Sequence, residues 1–118
     1  MAKNYENLEA WKEAVNLAIL IYKETKSFPK EELYGLTSQL RKSIISVSTN
    51  IAEGAGRSSR QEFIRFINIA LGSLNEVESL VCVARELGYL KEDKFGLLKK
   101  QIKKVGSLLG GFKNYLIK

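Results

Sequence analysis

The feature that most constrains the fold of this chain is an unbroken helical repeat of apolar residues close to its end. Between Glu92 and Ile117 the repeat consists of Phe95, Leu98, Ile102, Val105, Leu109, Phe112 and Leu116. Steps of three and four residues place all of these side chains on one face of an α-helix. Because such a face must be buried against another apolar surface, the segment predicts a helix that packs lengthwise against further helices.

Three earlier segments show similar spacing and complete the set of predicted helices. The first, from about Asn7 to Lys26, has an inward stripe predicted to consist of Leu8, Trp11, Val15, Ala18, Ile19 and Tyr22. The second, from about Leu36 to Glu53, has the stripe Leu36, Leu40, Ile44, Val47 and Ile51. The third begins after Ser59, ends at Gly88 and has the inward residues Phe63, Phe66, Ile67, Ala70, Leu74, Val77, Leu80, Val81, Ala84 and Leu87.

These stripes predict an all-α fold, namely an antiparallel up-down-up-down four-helix bundle in which the helices bury one another's apolar faces. The connections are short, and residues 27–35, which contain Pro29 and Gly35, join the first two helices. At 118 residues, the chain is predicted to form a single domain, residues 1–118. Ile64 and Leu71 lie off the inward face of the third helix, so we expect them to be exposed at a subunit contact.

Small polar residues run beside the stripe of the second helix. Ser43, Ser46 and Asn50 allow a neighbouring backbone to come close or a buried hydrogen bond to form. An unpaired buried amide would cost about 1–3 kcal/mol, so a buried Asn50 needs a partner. A serine nucleophile in this strip would have no base beside it, and we therefore predict a structural role.

The joint between the second and third helices reads Gly-Ala-Gly-Arg-Ser-Ser-Arg over residues 54–60. A phosphate-binding glycine loop follows a strand and carries a third glycine, whereas this joint follows a helix and has an arginine at that place. A nucleotide site is therefore not expected. Instead, Gly54 or Gly56 is predicted to end the second helix in the left-handed conformation. Ser59 and Glu62 are predicted to form a capping box that starts the third helix.

The residue types present exclude several classes of site. The chain has no histidine and a single cysteine, Cys82. A Cys–His nucleophile, a zinc site of the usual Cys and His ligands and an internal disulfide are therefore impossible within one chain. We expect no enzyme activity, no catalytic or metal-binding residues and no cofactor. The lone cysteine fits a reducing compartment and the apolar runs are too short to span a bilayer, so we expect a cytoplasmic protein without membrane contact.

The net charge of +6 is concentrated in the last segment of the chain. Residues 1–93 hold 12 basic and 13 acidic side chains, whereas residues 94–118 hold 7 lysines and no acid. Four of these lysines fall on the outer heptad positions e, f, b and c, namely Lys99, Lys100, Lys103 and Lys104. Two interpretations stay open, a binding surface for an anionic partner and a solvated helix face.

Glycines occupy further outer positions of the fourth helix, namely Gly96, Gly106, Gly110 and Gly111. Each costs about 0.8–1 kcal/mol relative to alanine inside a helix. They indicate either a close neighbour along this side of the helix or fraying near Gly110 and Gly111.

Three arginines surround the joint at the start of the third helix, namely Arg57, Arg60 and Arg65. Free backbone N–H groups at a helix N-terminus favour anions, and the arginine fork matches the oxygens of a phosphate group. Two alternatives stay open: these arginines contact phosphate, or Arg57 and Arg60 pair with Glu53 and Glu62.

Three stretches together resemble a known protein family. They are LYGLTSQLRKSI from Leu33, NIAEGAGRSSRQEFIRFINIALGSLNEVES from Asn50 and ARELGYL from Ala84. The chain is similar over nearly its whole length to the small four-helix-bundle proteins encoded in intervening sequences of bacterial large-subunit ribosomal RNA genes. It is also similar to the accessory protein of diversity-generating retroelements. The resemblance implies a ring-like homopentamer and, from the retroelement members, binding of RNA and of a reverse transcriptase through basic surfaces.

Charge and resemblance together lead us to expect a non-enzymatic, oligomeric protein that binds nucleic acid, specifically RNA. The main candidate binding residues are Lys99, Lys100, Lys103 and Lys104, with Arg57, Arg60 and Arg65 as an extension. Few aromatic residues fall on outer faces, so we expect contact with backbone phosphates rather than base stacking. The alternative is a structural or adaptor protein that binds a protein partner such as a reverse transcriptase.

Overall fold

The computed structural model describes residues 2–118, with side chains from Tyr5 onwards. Its four α-helices are α1 (Glu9–Thr25), α2 (Leu36–Ala55), α3 (Arg60–Glu86) and α4 (Glu92–Ile117). Short 3₁₀ helices precede α1 at Ala2–Asn7 and lie between α1 and α2 at Lys30–Glu32. The predicted all-α fold and the approximate bounds of all four helices are confirmed.

The helices form an elongated bundle that measures 43 × 24 × 20 Å. Each helix packs against its neighbours in the chain, and α1 also packs against α4, which closes the ring of contacts around the core. The connections are short, so consecutive helices run in opposite directions as the sequence predicts. The α2–α3 pair makes the most extensive contact of the four pairs.

The predicted stripes of α2 and α4 form the centre of the core. Ile44, Val47 and Ile51 of α2 are fully buried, and so are Val105 and Leu109 of α4. The two ends of the α4 seam, Phe95 and Phe112, are half-buried and pack against this core. Strong 3.5-residue periodicity therefore identified the buried face of these two helices correctly.

Helix α1 is rotated relative to the predicted stripe. Its buried residues are Ala10, Ala14, Leu17, Ala18, Ile21 and Thr25. Ile19 is 59% exposed and Tyr22 39% exposed, so the prediction that they face inward is wrong. Leu17 and Ile21 fill the core, the three alanines allow a close approach beside them, and the apolar side chains on the other side of α1 lie at the edge of the bundle. There, Val15, Ile19 and Tyr22 line an open groove with Ile45 of α2, which we call the α1–α2 groove.

Most of the predicted inward face of α3 is buried in the core, as expected for Ile67, Ala70, Leu74, Val77, Val81 and Ala84. Leu87 is 53% exposed because the helix has already ended there, so its inward assignment is wrong. Ile64 and Leu71 are half-buried and pack against the core, which corrects the expectation that they are exposed. The more exposed apolar residues of this helix are Ile69 and Val83.

By length and composition alone, α3 could cross a membrane, and it is the one such helix in the part of the chain that the structure describes. The expectation that every apolar run is too short to span a bilayer is therefore wrong for α3. In the bundle, however, one side of α3 packs in the protein core, and Glu76 and Glu78 interrupt the other side. A long core helix meets the same criteria without a membrane.

Gly54 has a different role from the predicted one. It is buried inside α2, and neither Gly54 nor Gly56 has a positive φ. A Cβ atom on Gly54 would lie 2.8 Å from Phe63 Cδ1 and 2.8 Å from Phe66 Cβ. The glycine is therefore needed for the close approach of α3 to α2, and α2 ends at Gly56 with ordinary right-handed geometry, φ −84°.

The predicted positions of both ends of α3 are confirmed, but the capping box is only half formed, because the Glu62 carboxylate pairs with Arg65 and no hydrogen bond joins it to the Ser59 N–H. At its start, the Ser59 hydroxyl accepts a hydrogen bond from the Glu62 backbone N–H at 3.1 Å. At its end, Gly88 has φ +80°, the left-handed conformation that favours glycine. These two residues fix the length of the helix that carries most of the α2 and α4 contacts.

The polar strip on α2 joins α2 to α3. The hydroxyls of Ser46 and Ser73 are 2.9 Å apart, and Asn50 Nδ2 donates to the Ser46 carbonyl at 2.7 Å. Asn50 thus has the partner that its burial requires, and the structural role predicted for the strip is supported.

Helix α4 is continuous through its four glycines to Ile117. Gly106 faces α3, and a Cβ atom there would lie 3.4 Å from Leu74 Cδ2. A Cβ atom at Gly96, Gly110 or Gly111 would meet open space. Within the described chain, Gly106 alone among these four glycines has the close neighbour that the sequence allowed for.

Candidate nucleic-acid interface

Four lysines of α4 form one outer surface of the bundle, as the heptad register predicts. This surface, the lysine face, consists of Lys99, Lys100, Lys103 and Lys104. Lys100, Lys103 and Lys104 are exposed, and Lys99 is half-buried. They stand on the side of α4 that is turned away from the buried Leu98, Ile102 and Val105.

Two lysines at the edges of this surface are paired with carboxylates of neighbouring helices. Lys99 Nζ lies 2.6 Å from Glu78 Oε2 on α3, and Lys104 Nζ lies 3.3 Å from Glu13 Oε2 on α1. Nearer the start of α4, Lys94 pairs with Glu24 at 3.7 Å. Exposed ion pairs contribute about 0–1 kcal/mol, so they reduce the positive charge of the edges without fixing the side chains strongly.

Glu13 accepts more hydrogen bonds than Glu78 does. Gln101 Nε2 donates to Glu13 Oε1 at 2.7 Å and to its backbone carbonyl at 3.3 Å. The hydrogen bond from Gln101, then that from Asn16 and the nearby Lys104 ammonium, hold the pKa of Glu13 below its usual value. On the other edge, the hydrogen bond to Glu78 raises the pKa of Lys99.

Lys100 and Lys103 differ from their neighbours. Both are exposed, and neither pairs with a carboxylate within the described side chains. They are three residues apart and therefore adjacent on the helix surface. The centre of the lysine face thus carries two cations whose charge is available to an external anion.

A groove lies between α3 and α4 beside these two lysines. We call it the α3–α4 groove; its volume is about 690 Å³. It is lined by Leu71, Leu74, Asn75, Glu78, Lys99, Lys100, Ile102, Lys103, Gly106 and Ser107. Its floor is apolar and its α4 wall is cationic, a combination that the sequence reading did not predict because the groove exists only after α3 and α4 have packed.

The predicted arginines surround the α2–α3 joint, and we call Arg57, Arg60 and Arg65 the arginine turn. Arg57 Nη2 lies 2.8 Å from Glu53 Oε2, and its guanidinium carbon lies 4.7 Å from the centre of the Phe66 ring. Arg65 pairs with Glu62 at 3.6 Å and lies 5.6 Å from the same ring. Of the two alternatives left open for Arg57, the structure contains the pairing with Glu53.

Arg60 pairs with neither Glu53 nor Glu62. Its Nη1 donates to the Leu116 carbonyl at 3.4 Å, and its guanidinium carbon lies 5.7 Å from the centre of the Tyr115 ring. It thereby links the start of α3 to the end of α4. At about 1.5 Å per residue, Leu116 lies roughly 18 Å along α4 from Lys104, so the arginine turn and the lysine face are separate clusters.

No group of three or more His, Cys, Asp or Glu side chains among the described residues stands close enough together to hold a metal ion. Cys82 is a free, half-buried thiol. The acidic side chains nearest the lysine face, Glu13 and Glu78, are bound to lysines and to Gln101. What this surface offers chemically is charge, hydrogen bonding and an apolar floor.

Comparison with known proteins identifies relatives of this chain. The family model described as 23S rRNA-intervening sequence protein matches residues 6–111. A solved structure of a protein with unknown function, from the S23 ribosomal protein family of Bacteroides thetaiotaomicron, is similar with a TM-score of 0.83. It is 23% identical, and the match covers 97% of this chain and 99% of that one, which supports the fold. No curated protein matches.

Proposed function

The chain belongs to the 23S rRNA-intervening sequence protein family, and from this premise we propose that it is a non-enzymatic protein that binds RNA through the lysine face. The observation that carries the proposal is the exposed pair Lys100 and Lys103, which no carboxylate of the described chain neutralises. The segment that contains them holds the entire positive excess of the protein. A surface of this kind attracts polyanions at long range.

The proposed contact is between lysine ammonium groups and backbone phosphates. Such contacts release condensed counterions, so the affinity should fall steeply as the salt concentration rises. Lys99 and Lys104 contribute less than Lys100 and Lys103 because each already has a carboxylate partner. The arginine turn is a secondary contact at most, since Arg57 and Arg65 are also paired.

The second part of the proposal is that the protein acts as a cytoplasmic homo-oligomer, with the ring of five that the family resemblance implies. The α1–α2 groove supports a contact between copies, because Ile19 and Ile45 are exposed there at 59% and 40%. Several copies in one assembly would multiply weak phosphate contacts by avidity. Each subunit can then bind RNA weakly while the assembly binds firmly.

An adaptor function is the second candidate. The connection between α1 and α2 exposes Tyr34 at 94% and Leu33 at 49%. Exposed aromatic and aliphatic side chains of this size are typical of protein contacts. In this alternative the protein binds a protein partner such as a reverse transcriptase, and the lysines keep the surface soluble.

The test is a titration of labelled RNA at about 50 mM and about 200 mM salt, followed by fluorescence anisotropy. We expect binding at the lower concentration that weakens at least tenfold at the higher one, for about three or more phosphate contacts. Reversing the charges of Lys99, Lys100, Lys103 and Lys104 to glutamate should abolish binding while light scattering shows the same oligomer. If RNA does not bind even at low salt, the adaptor function is favoured instead.

A further inference from the structure

The α3–α4 groove has an apolar floor that is unusually short. Leu71 and Leu74 of α3 face Ile102 and the backbone of Gly106 on α4. These residues span three to four positions on each helix, which is about 5–6 Å along the bundle. An amphipathic helix that docks in a groove uses anchors from i to i+7, which requires about 10 Å of apolar surface. The floor is therefore too short for a partner helix and suits one flat group.

The rim of the groove carries polar groups of two kinds. Lys100 and Lys103 stand on the α4 wall without a carboxylate partner in the described chain, and Glu78 on the α3 wall is neutralised by Lys99 at 2.6 Å. Asn75 is exposed on the α3 wall, and its amide makes no hydrogen bond to another described residue. The rim thus offers two free cations and one amide that can both donate and accept.

An apolar slot, a free amide and two cations match the parts of a single unpaired nucleotide. The base has two flat faces and a hydrogen-bonding edge, and its flanking phosphates are anionic. In a duplex the faces are stacked and the pairing edges are occupied, so phosphates, sugars and the groove edges of the bases remain accessible but no base face does. A single strand can therefore use the whole groove, whereas a duplex can use only its lysines.

We infer that the α3–α4 groove binds an unpaired nucleotide of RNA, with the base on the Leu71–Gly106 floor and the adjacent phosphates at Lys100 and Lys103. The inference rests on the RNA binding proposed above and gives it a substrate class, single-stranded RNA. It also changes the expectation that the protein contacts only backbone phosphates. Gly106 is the residue that keeps the slot open, because a Cβ atom there would already reach 3.4 Å from Leu74 Cδ2.

The first test compares two RNAs of equal length by anisotropy, a single strand without self-complementarity and a perfect duplex. We expect wild-type protein to bind the single strand at least about fivefold more tightly than the duplex, because the base adds an apolar contact and a hydrogen bond. Gly106→Leu fills the slot without changing any charge, so it should lower single-strand affinity about threefold and leave duplex affinity unchanged. Gly96→Leu is the matched control on the same helix, since Gly96 faces open space and should change neither affinity.

A second pair of variants covers the case in which Gly106→Leu does not fold, as judged by circular dichroism. Asn75→Ala removes the amide from the rim and should weaken single-strand binding about threefold, with no change for the duplex. Asn68→Ala is the control, because Asn68 is exposed one heptad earlier on α3 and does not line the groove.

The outcomes separate this inference from the function on which it rests. If Lys100→Glu and Lys103→Glu weaken both RNAs while Gly106→Leu and Asn75→Ala leave the single-strand affinity intact, the nucleotide slot is wrong and RNA binding stands. Equal wild-type affinity for the two RNAs overturns the slot as well. If charge reversal affects neither RNA, the RNA-binding function itself is wrong.

Discussion

The lysine face and the arginine turn contain similar numbers of cations but leave them in different states. All three arginines are engaged within the protein, with carboxylates, a backbone carbonyl or aromatic rings. On the lysine face, the two central side chains have no such partner among the described residues. The planar guanidinium stacks on rings and forks onto carboxylates, so arginine at a crowded helix joint is readily used for structure. Lysine on an open helix face keeps its charge available.

The largest expected effect separates the two clusters directly. Lys100→Glu combined with Lys103→Glu should weaken RNA binding about a hundredfold at low salt and reduce the salt slope by about two, because two phosphate contacts are lost. Arg57→Glu combined with Arg65→Glu makes the same change in net charge, yet the loss of affinity should be at least about tenfold smaller. Fluorescence anisotropy across a salt series measures both. A larger loss from the arginine pair would reverse the comparison.

Stability should show the opposite order. Gly54→Ala forces a Cβ atom to 2.8 Å from two phenylalanine side chains beside the arginine turn, and overpacking of this kind costs about 1–3 kcal/mol. Gly110→Ala, next to open space on α4, should instead stabilise the protein by up to about 1 kcal/mol through helix propensity. Thermal and urea unfolding followed by circular dichroism give the two values. A neutral Gly54→Ala would mean that α2 and α3 can separate at little cost.

The sequence predicted best where large apolar residues repeat on one face only. The seam of α4 and the stripe of α2 were correct because the opposite sides of these helices are mostly polar or small, with Ile45 and Leu97 as exposed exceptions. The prediction for α1 was wrong because this helix is apolar on two sides, and the side with Leu17 and Ile21 is the one that packs in the core. Ala14 and Ala18 are buried, while Ile19 remains 59% exposed. The prediction for Gly54 was also wrong, because close contact between helices and a left-handed turn both favour glycine and the sequence does not distinguish them.

For the candidate site, the sequence predicted positions but not partners. The heptad register placed the lysines on the outer side of α4 correctly. Some of these lysines are paired and others are free because of hydrogen bonds that join α4 to residues far away in the chain. Examples are the bonds from Gln101 to Glu13 and from Lys99 to Glu78. The α3–α4 groove likewise depends on where α3 lies. Such contacts follow from tertiary packing, which the periodicity of a single segment does not predict.

A gain of function would sharpen the difference between paired and free lysines. Glu78→Gln removes the carboxylate that holds Lys99 at 2.6 Å and should tighten RNA binding about two- to fivefold at low salt. Glu76→Gln is the matched control, since it removes an exposed carboxylate from the same helix outside the α3–α4 groove. If both variants tighten binding equally, the effect is one of net charge, and the distinction between paired and free lysines on this face does not hold.

The smallest expected effect concerns the other edge of the lysine face, where Glu13 joins α1 to α4. Hydrogen bonds from Gln101 and Asn16 and the Lys104 ammonium lower the pKa of Glu13 in the folded protein, so the ionised carboxylate stabilises the fold. This contribution is present above the pKa of the unfolded carboxyl, about 4.3, and is lost as the pH falls through the lower pKa of the folded state. Glu13→Gln should therefore be less stable than wild type near neutral pH, and the difference should shrink in acid. Thermal unfolding of both proteins across this pH range, with Glu76→Gln to correct for net charge, measures it. A difference that is constant with pH would show that the charge of Glu13 does not stabilise the fold. The contact between α1 and α4 at this edge of the lysine face would then depend on hydrogen bonds and packing alone.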